Sequence, residues 1–314
     1  GEAMRRSPLA VLFGAVLFDM MGFGIVLPLL PFYAESMGAS PLQVTLLVAS
    51  YSAMQLVAAP LWGAFSDRRG RRPLIVLGLF ASAVSYLIFG LARSLPILFL
   101  SRMAAGAAGG TISVAQAYVA DTTAAEARAK SLGLLGAASG LGVMLGPAIG
   151  GFFSKWGLGA PGFVAAVLCA LNGESRPARS RGEPRKIATP GEWARAMTRF
   201  PRSLLFGVYF LSISSFAAMT AVLALYADRT FGIGAQGMGL VFTVSGGVTV
   251  LVRGVLLGPL VDRFGEPATA RIGTTSLALA MLLVSAIPNP WWLGLTATLH
   301  ALGAGTLFPV LASL

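Results

Sequence analysis

Gly63-Ala64-Phe65-Ser66-Asp67-Arg68-Arg69-Gly70-Arg71-Arg72-Pro73 is a short, strongly charged segment between two long apolar runs. A degenerate copy follows as Gly258-Pro259-Leu260-Val261-Asp262-Arg263-Phe264-Gly265-Glu266-Pro267, with its Gly, Asp and second Gly each 195 residues after their counterparts. A polar segment that recurs at the same place in two apolar halves is typical of duplicated membrane proteins. The repeat therefore predicts an all-α integral membrane fold with two pseudo-symmetric helical halves.

The composition of the chain requires a lipid environment. Of its 314 residues, 56% are hydrophobic and 11% are charged, and the mean hydropathy is +0.78. Soluble domains contain roughly 25% charged residues. The single cysteine excludes an internal disulfide and a cysteine zinc site, and the single histidine leaves little material for a metal centre. We therefore predict neither a metal nor a cofactor.

Ten apolar runs follow one another along the chain. A helix needs about 20 residues to cross the hydrocarbon layer, so nine of the runs are long enough and the sixth is too short. The runs cover residues 9–33, 43–63, 73–92, 95–119, 131–153, 159–171, 204–226, 237–261, 270–287 and 291–314.

The basic residues are distributed unevenly between these runs. Of the 23 lysines and arginines, eighteen fall on one side, three on the other, and two, Arg102 and Arg253, lie inside runs. This bias is the positive-inside rule, so the net charge of +11 reflects topology rather than affinity for nucleic acid. We expect a multi-pass protein of the inner (plasma) membrane with both ends of the chain in the cytoplasm.

The chain divides into three parts. Residues 1–171 form an N-terminal transmembrane half, residues 172–202 form a basic cytoplasmic linker, and residues 203–314 form a C-terminal half. The topology requires the sixth run to cross the membrane despite its length. The chain ends at Leu314 within an apolar run, from which we expect the C-terminal half to be incomplete.

Several motifs in order resemble the major facilitator superfamily, and within it the drug/proton antiporters typified by bacterial tetracycline efflux proteins. That superfamily has twelve helices, so about ten of the expected twelve would be present. The resemblance implies a monomer that moves small molecules and protons, is driven by the proton gradient and needs no cofactor. The motifs are the charged segment 63–73, Asp19–Pro28 in the first run, Arg102–Gly106 with Gly109-Gly110 in the fourth, Ala117–Asp121, and the glycine-rich stretch Gly136–Gly151 in the fifth.

Three ionisable residues inside apolar runs are candidates for proton coupling or substrate binding. Asp19 is the acidic residue deep inside a run, and a charge at that depth normally faces a cavity or a cation. Arg102 stays protonated and needs an anionic partner or a wet cavity, and Asp19 is at a similar depth. His300 occupies the place in the second half that corresponds to Arg102. The alternative is a structural hydrogen bond for Asp19 and His300, and a packing role for Arg102.

Other polar residues inside runs are weaker candidates. We expect Arg253 to extend its head group toward the cytoplasmic face, with a substrate contact as the alternative. Plausible cavity-lining groups are Gln55, Gln116, Tyr209 and Ser212.

A second set of candidates lies at the cytoplasmic ends of the runs. The resemblance implies that charges there form a latch that holds the two halves together in one state of an alternating-access cycle. We expect the glycines to permit a tight hairpin and close approach of helices. The plain alternative is a loop that is basic for topology alone. This set consists of Gly63, Asp67, Gly70, Arg71, Asp121 and Asp262.

The fifth run contains a further motif, Gly142, Gly146, Pro147 and Gly150. Small residues at this spacing permit close helix packing, and a proline removes a backbone hydrogen bond and favours a kink. The resemblance implies a gating role for this helix, with ordinary transmembrane packing as the alternative.

Three functions are compatible with these features. The leading hypothesis is a secondary active transporter that exports lipophilic, drug-like molecules by proton-coupled alternating access. A facilitator or symporter of a metabolite is the second, and a transport-incompetent truncated membrane protein is the third. An enzyme is not expected, because the sequence contains no nucleophile, base and orienting group in a recognisable set.

Overall fold

The computed structural model describes residues 8–123, 125–173 and 202–313, and every regular element within them is helical. The chain divides into two compact units, Gly1–Lys186 and Ile187–Leu314. Nearly all of the predicted linker lies outside the described residues.

The described residues of the first unit form eight α-helices. A short 3₁₀ turn, Ser154–Trp156, joins α7 to α8. The helices are α1 Pro8–Val26, α2 Leu30–Ser36, α3 Pro41–Arg69, α4 Arg71–Leu91, α5 Leu95–Ala108, α6 Thr111–Thr122, α7 Ala125–Phe153 and α8 Ala160–Gly173.

The second unit contains five α-helices among its described residues. A π-helical turn, Val252–Leu256, separates the second and third of them. They are α9 Arg202–Phe231, α10 Ala235–Leu251, α11 Leu257–Phe264, α12 Glu266–Val284 and α13 Trp291–Ser313. The predicted all-α class is confirmed.

Local sequence explains where α3 begins and ends. Ser40 accepts a hydrogen bond from Gln43 N while the Gln43 side chain accepts one from Ser40 N, which is a capping box, and Pro41 stands at the first helical position. Gly70 ends α3 and begins α4 with φ 93° and ψ 153°, a backbone region open essentially to glycine alone. The chain therefore reverses at one residue.

Three predicted runs are not single helices. The first bends at residues 27–29 before Leu30, and the eighth contains the π-helical turn. The fourth run is interrupted at Gly109 and Gly110, which separate α5 from α6. Each interruption contains or adjoins Gly or Pro, but the apolar pattern continues across it, so hydropathy alone predicts one helix.

The lengths of the helices agree with a membrane protein. Seven stretches of the described residues are helical, long and apolar enough to cross a bilayer, and one of them spans both α5 and α6. The sixth predicted run is shorter: the apolar part of α8 is Ala160–Leu171. In the structure, α8 continues to Gly173, so two residues of the predicted linker belong to this helix.

Helix α1 lies at the centre of the first unit and contacts α4, α6, α7 and α8. Part of its buried surface is a core of aliphatic side chains that includes Leu12, Val16, Leu79 and Leu135. From Leu17 to Ile25, α1 also meets the glycines of α7. Asp19 lies within this stretch and is 4% exposed, so the fold places it inside the first unit.

Candidate functional site

Asp19 is 4% exposed and is held by a neighbouring helix. Its Oδ1 accepts a hydrogen bond of 2.9 Å from Ser82 Oγ of α4. The Thr111 side chain, at the start of α6, lies within electrostatic reach of the carboxyl group without completing a hydrogen bond. Asp19 therefore has one hydroxyl bound to it and a second hydroxyl beside it.

Aromatic and thiol groups lie in the neighbourhood of this carboxyl group. Tyr51 of α3, Tyr86 of α4 and Cys169 of α8 all lie within electrostatic reach of Asp19. The Cys169 thiol donates to Phe18 O at 3.7 Å, which ties α8 to α1 beside the acid. We call Asp19, Tyr51, Ser82, Tyr86 and Thr111 the Asp19 cluster.

Arg102 does not form an ion pair with Asp19, so the partner suggested by depth is wrong. It is 3% exposed, and its guanidinium carbon lies 5.1 Å from the Phe89 ring centroid and 5.8 Å from that of Tyr86. Tyr86 and Phe89 lie one and two turns beyond Ser82 on α4, so Arg102 is offset along the bundle from Asp19. It is adjacent to the Asp19 cluster through Tyr86.

The polar and aromatic residues near Asp19 were not among the candidates predicted from sequence. Ser82, Ser85 and Tyr86 are buried and share one face of α4 at helical spacing. Tyr51 and Gln55 are likewise four residues apart on α3. The periodicity of polar residues within apolar runs is the signal that identifies such a face, because polar groups inside a membrane helix normally face protein or water.

The predicted cavity glutamines lie in different surroundings. Gln55 is half-buried, and its amide donates to Gly109 O at 3.2 Å, so it binds backbone at the break between α5 and α6. Gln116 is exposed on α6 and does not face the Asp19 cluster. The structure therefore places Gln55 close to the cluster and Gln116 away from it.

The remaining candidates belong to the second unit. His300 is 7% exposed within α13. Arg253 is exposed and lies in the π-helical turn, a position that agrees with a head group directed away from the core. The side chains of Tyr209 and Ser212 lie outside the described residues.

The charged hairpin of the first unit forms a compact group around Arg71, which is 4% exposed. Its Nε donates to Asp121 Oδ2 of α6 at 3.0 Å, and its Nη1 donates to Ser66 Oγ. Nη1 also lies 2.5 Å from Asp67 Oδ1, off the direction of an N–H bond, so this is a charge contact rather than a hydrogen bond. We call Ser66, Asp67, Arg71 and Asp121 the Arg71 cluster.

Electrostatics explain why Arg71 is needed there. Asp67 and Asp121 lie in the last turns of α3 and α6, where the helix dipole is negative and a carboxylate is unfavourable. The Arg71 guanidinium offsets both charges and joins three helices. The predicted charge set of Asp67, Arg71 and Asp121 is therefore one physical contact.

Gly63 has a different position from the one expected. It lies within α3, seven residues before the hairpin, and a Cβ atom built on it meets no described atom within 4 Å. The expectation that Gly63 allows the hairpin is wrong, since Gly70 alone makes the reversal. The Gly63 carbonyl accepts a hydrogen bond from Ser66 Oγ at 2.8 Å, so the residue contacts the Arg71 cluster through its backbone.

The second hairpin repeats the backbone of the first. Gly265 has φ 78° and ψ 163°, close to the values of Gly70, and it separates α11 from α12 as Gly70 separates α3 from α4. Its charges differ: Glu266 stands where Arg71 stands in the first unit, and Asp262 is exposed. The duplication is therefore structural, while the ion-pair arrangement around Arg71 belongs to the first unit.

The glycines of α7 form the contact with α1. Cβ atoms built on Gly142, Gly146 and Gly150 would lie 2.6 Å from Leu17 O, 2.6 Å from Gly24 C and 2.5 Å from Ile25 O, respectively. All three obstacles are backbone atoms, so the two helices touch main chain to main chain. Pro147 is buried within α7, which remains helical around it.

Among the described residues, no group of three or more His, Cys, Asp or Glu side chains is placed to hold a metal ion. The polar groups of the site are instead carboxyl, hydroxyl, phenol and guanidinium groups lined by aromatic rings. Such an arrangement can bind and release protons and can contact an organic molecule.

Each of the two units consists of apolar helices and contains its own copy of the same glycine hairpin, and the first helix carries a buried acid. These features define a duplicated membrane transporter. The profile described as Major Facilitator Superfamily matches residues 12–314. The chain belongs to the Major Facilitator Superfamily, and its members are transporters rather than enzymes.

Relatives with assigned names include drug resistance proteins. The chain is 33% identical over 303 residues to the Tetracycline resistance protein, class C, of Escherichia coli, which covers 91% of this chain and 75% of that protein. It is 29% identical over 274 residues to Multidrug resistance protein 2 of Bacillus subtilis (strain 168), which covers 83% of this chain and 68% of that protein. The predicted superfamily and the resemblance to tetracycline efflux proteins are confirmed.

Solved structures share the fold. The human organic anion transporter MFSD10 (TETRAN) superposes with a TM-score of 0.72 at 24% identity, covering 97% of this chain and 84% of that one. A peptide transporter, POT, superposes with a TM-score of 0.78 at 16% identity, covering 99% and 82%. At these identities the likeness concerns architecture alone.

Proposed function

We propose that the protein exports lipophilic, drug-like molecules, preferentially cations, in exchange for protons, by alternating access of its two halves. It would act as a monomer in the inner membrane, with the Gly70 and Gly265 hairpins and both ends of the chain on the cytoplasmic side. The bias of eighteen among 23 basic residues supports this orientation. The names of the resistance proteins to which the chain is similar support the substrate class.

The observation that supports proton coupling most directly is the state of Asp19. This carboxyl group is buried in an apolar helix, and no cationic side chain among the described residues forms an ion pair with it. An ionised aspartate at the centre of a membrane helix costs about 2.5–3.5 kcal/mol or more. Protonation, or a cationic substrate in its place, removes that cost, so protons and cations would compete for one carboxyl group.

The surroundings of Asp19 favour an organic cation. Tyr51 packs against Phe23 and Tyr86 packs against Gly22, one turn after Asp19 on α1, and aromatic faces attract cations while contributing apolar area. The Arg102 guanidinium carbon lies 5.8 Å from the Tyr86 ring centroid, and its fixed positive charge would favour release of a proton or cation when the site is hydrated. Export would therefore follow from competition at Asp19 together with a change in access.

The Arg71 cluster would supply the conformational part of the cycle. Its ion pairs join α3, α4 and α6 at the proposed cytoplasmic side and can alternate between paired and hydrated states as the halves move. The close contact of α7 with α1 would then guide the movement that opens one side or the other. Within the second unit, the buried His300 would be a further proton-binding candidate, and Arg253 would extend toward the cytoplasmic face.

The test is transport by the purified chain in proteoliposomes with an acid interior. Fluorescent lipophilic cations and tetracyclines would be supplied outside. We expect accumulation that depends on the pH gradient and that Asp19→Asn abolishes in a protein that remains folded. Asp228→Asn is the matched control, because it removes an acid near the end of α9, outside the apolar part of that helix.

The other outcomes each contradict part of the proposal. Movement at the same rate with and without the gradient indicates a facilitator. Gradient-driven movement that Asp19→Asn leaves intact indicates another proton site. Movement of none of the compounds contradicts the proposed substrate class.

A further inference from the structure

The membrane span formed by α5 and α6 is broken near its middle. Gly109 N donates to Gly106 O at 3.1 Å and Gly110 N donates to Ala108 O at 2.7 Å, which are tighter bonds than those of an α-helix. Helical bonding resumes when α6 begins at Thr111. The break makes α6 a separate rigid segment of 12 residues, about 18 Å long.

Side chains of α3 hold the break open. Trp62 Nε1 donates to Ala107 O at 2.6 Å, and Gln55 Nε2 donates to Gly109 O at 3.2 Å. A Cβ atom built on Gly110 would overlap the Trp62 side chain, so glycine is required by the closeness of the indole. Two carbonyl groups that leave the helical ladder are thus satisfied by α3, as carbonyl groups within a membrane must be.

The break leaves the hydroxyl of Thr111 available. Threonines in helices commonly donate to the carbonyl four residues back, as Thr243 does at 2.6 Å. For Thr111 that acceptor would be Ala107 O, which lies beyond the break and accepts from Trp62. The Thr111 hydroxyl is 1% exposed, completes no hydrogen bond and lies beside Asp19.

The opposite end of α6 belongs to the Arg71 cluster. Asp121, in the last turn of α6, accepts the 3.0 Å hydrogen bond from Arg71 Nε. One short helix therefore meets the Asp19 cluster at its first residue and the Arg71 cluster at its last turn. Both contacts are in the first unit.

We propose that α6 couples the protonation of Asp19 to the Arg71 cluster, with Thr111 as the positioning residue and Gly109-Gly110 as the hinge. The proposal rests on the proton-coupled function above. When Asp19 is ionised, Thr111 donates to its carboxylate and holds α6 toward α1. When Asp19 is protonated, that bond weakens, α6 turns about the hinge, and Asp121 moves relative to Arg71. Trp62 keeps the hinge from straightening.

Other groups near Asp19 could also respond to its protonation, and their effects must be distinguished from that of Thr111. They are Ser82 and Tyr86 from α4, Tyr51 from α3 and Cys169 from α8, while α7 presents glycines to this part of α1. Ser82 and Tyr86 lie on α4, which also carries Arg71, and Tyr51 lies on α3, which carries Asp67. These two helices are continuous between the two clusters, whereas α6 is separated from α5 by the break at Gly109-Gly110. A coupling that depends on Thr111 therefore distinguishes α6 from the other neighbours.

The test measures the movement of α6 directly. Spin labels would be attached to Ala120→Cys on α6 and Arg69→Cys at the end of α3, both exposed positions, in a Cys169→Ala background. The distance between the labels would be measured in lipid nanodiscs at acid and alkaline pH. We expect two pH-dependent distances in the otherwise native chain and one distance, that of acid pH, in Asp19→Asn.

Variants of α6 test whether the response depends on the Thr111 hydroxyl or only on the helix that carries it. Thr111→Val keeps the shape and should lose the pH-dependent change, whereas Thr111→Ser keeps the hydroxyl and should retain it. The matched control is Thr122→Val on the same helix, whose hydroxyl donates to Tyr118 O at 2.7 Å and does not face Asp19. It should respond as the native chain does. In Trp62→Phe, which lacks the N–H donor, we expect a broader distance distribution.

The result that overturns the coupling is an unchanged pH response in Thr111→Val, or a native chain whose label distance is the same at both pH values. The proposed function can fail separately. If transport proves independent of the pH gradient while the label distance still changes with pH and Thr111, proton-driven export is wrong and the coupling stands. If gradient-driven transport occurs without any label movement, the coupling alone is wrong.

Discussion

The contact between α1 and α7 gives the sharpest prediction about packing. Gly146→Ala should push these helices apart, because the added Cβ atom would lie 2.6 Å from Gly24 C and 2.7 Å from Ile25 N. Both are backbone atoms, so no side chain can turn away. Gly136→Ala is the matched control on the same helix, since a Cβ atom there meets no described atom within 4 Å.

The magnitude follows from the geometry. Ordinary carbon contacts lie at about 3.5–4.0 Å, so the helices must separate by about 1 Å, and such a gap removes a quarter to a half of the dispersion energy across the contact. Overpacking of this kind costs about 1–3 kcal/mol. Replacing glycine within a helix returns about 1 kcal/mol. We therefore expect Gly146→Ala to destabilise by up to about 2 kcal/mol and Gly136→Ala to stabilise by up to about 1 kcal/mol.

The single cysteine provides the assay. Cys169 is fully buried in α8, next to Phe18 of α1, so a thiol-reactive dye reports loss of structure in the first unit. Thermal unfolding of each purified variant in the same detergent would be followed by dye labelling. For a domain of 150–250 residues, 1 kcal/mol corresponds to about 2–4 °C. The midpoint of Gly146→Ala should therefore lie several degrees below that of Gly136→Ala.

Equal midpoints for the two variants would refute this account of the α1–α7 contact. A fall in Gly136→Ala with none in Gly146→Ala would show that the described face of α7 is not the one in contact. The same pair measured for transport would show whether the close contact is needed for movement of the helices.

Three further perturbations follow. Arg71→Ala leaves two carboxylates at helix ends without their cation and should lower the free energy of unfolding, measured by chemical denaturation, by about 2–4 kcal/mol. Arg71→Lys should be intermediate, and equal stability of the native chain and both variants would contradict the ion-pair account. Gly70→Ala should lower the free energy of unfolding by about 1–3 kcal/mol, because the backbone conformation of Gly70 is open to glycine alone. Gly63→Ala, within α3, should cause no such loss. Thermal unfolding measures both variants, and similar losses in the two would be inconsistent with a one-residue hairpin. Tyr33→Phe removes the 2.5 Å hydrogen bond to Ala92 O and should cost about 1 kcal/mol in the same assay, and an unchanged midpoint would show that this bond adds no stability.

Much of the architecture could be predicted from sequence because it depends on composition and on one repeat. Apolar runs indicate membrane helices through the cost of exposed backbone in lipid, and the paired hairpins indicate a duplication. The structure adds that Gly70 and Gly265 share a rare backbone conformation, which sequence identity alone only suggests. The break at Gly109-Gly110 was not predicted, because hydropathy is continuous across it and its cause is the indole of Trp62.

The candidate site was predicted less completely. Asp19 and Arg102 stand out because charges are rare inside apolar runs, but their partners depend on helix rotation, which hydropathy does not determine. Arg102 lies against aromatic rings rather than against Asp19. Ser82 and Thr111 resemble the many serines and threonines that bond to their own helix, and only tertiary packing brings them to the acid.

Measurement of the proton movement that accompanies cation transport tests the central claim most directly. Proteoliposomes would contain a trapped pH-sensitive dye and a transported lipophilic cation, and they would be diluted into cation-free buffer of the same pH. Antiport predicts that cation leaving the vesicles is accompanied by acidification of the interior, and that Asp19→Asn abolishes both. Cation movement at the native rate with no change in interior pH would contradict the account.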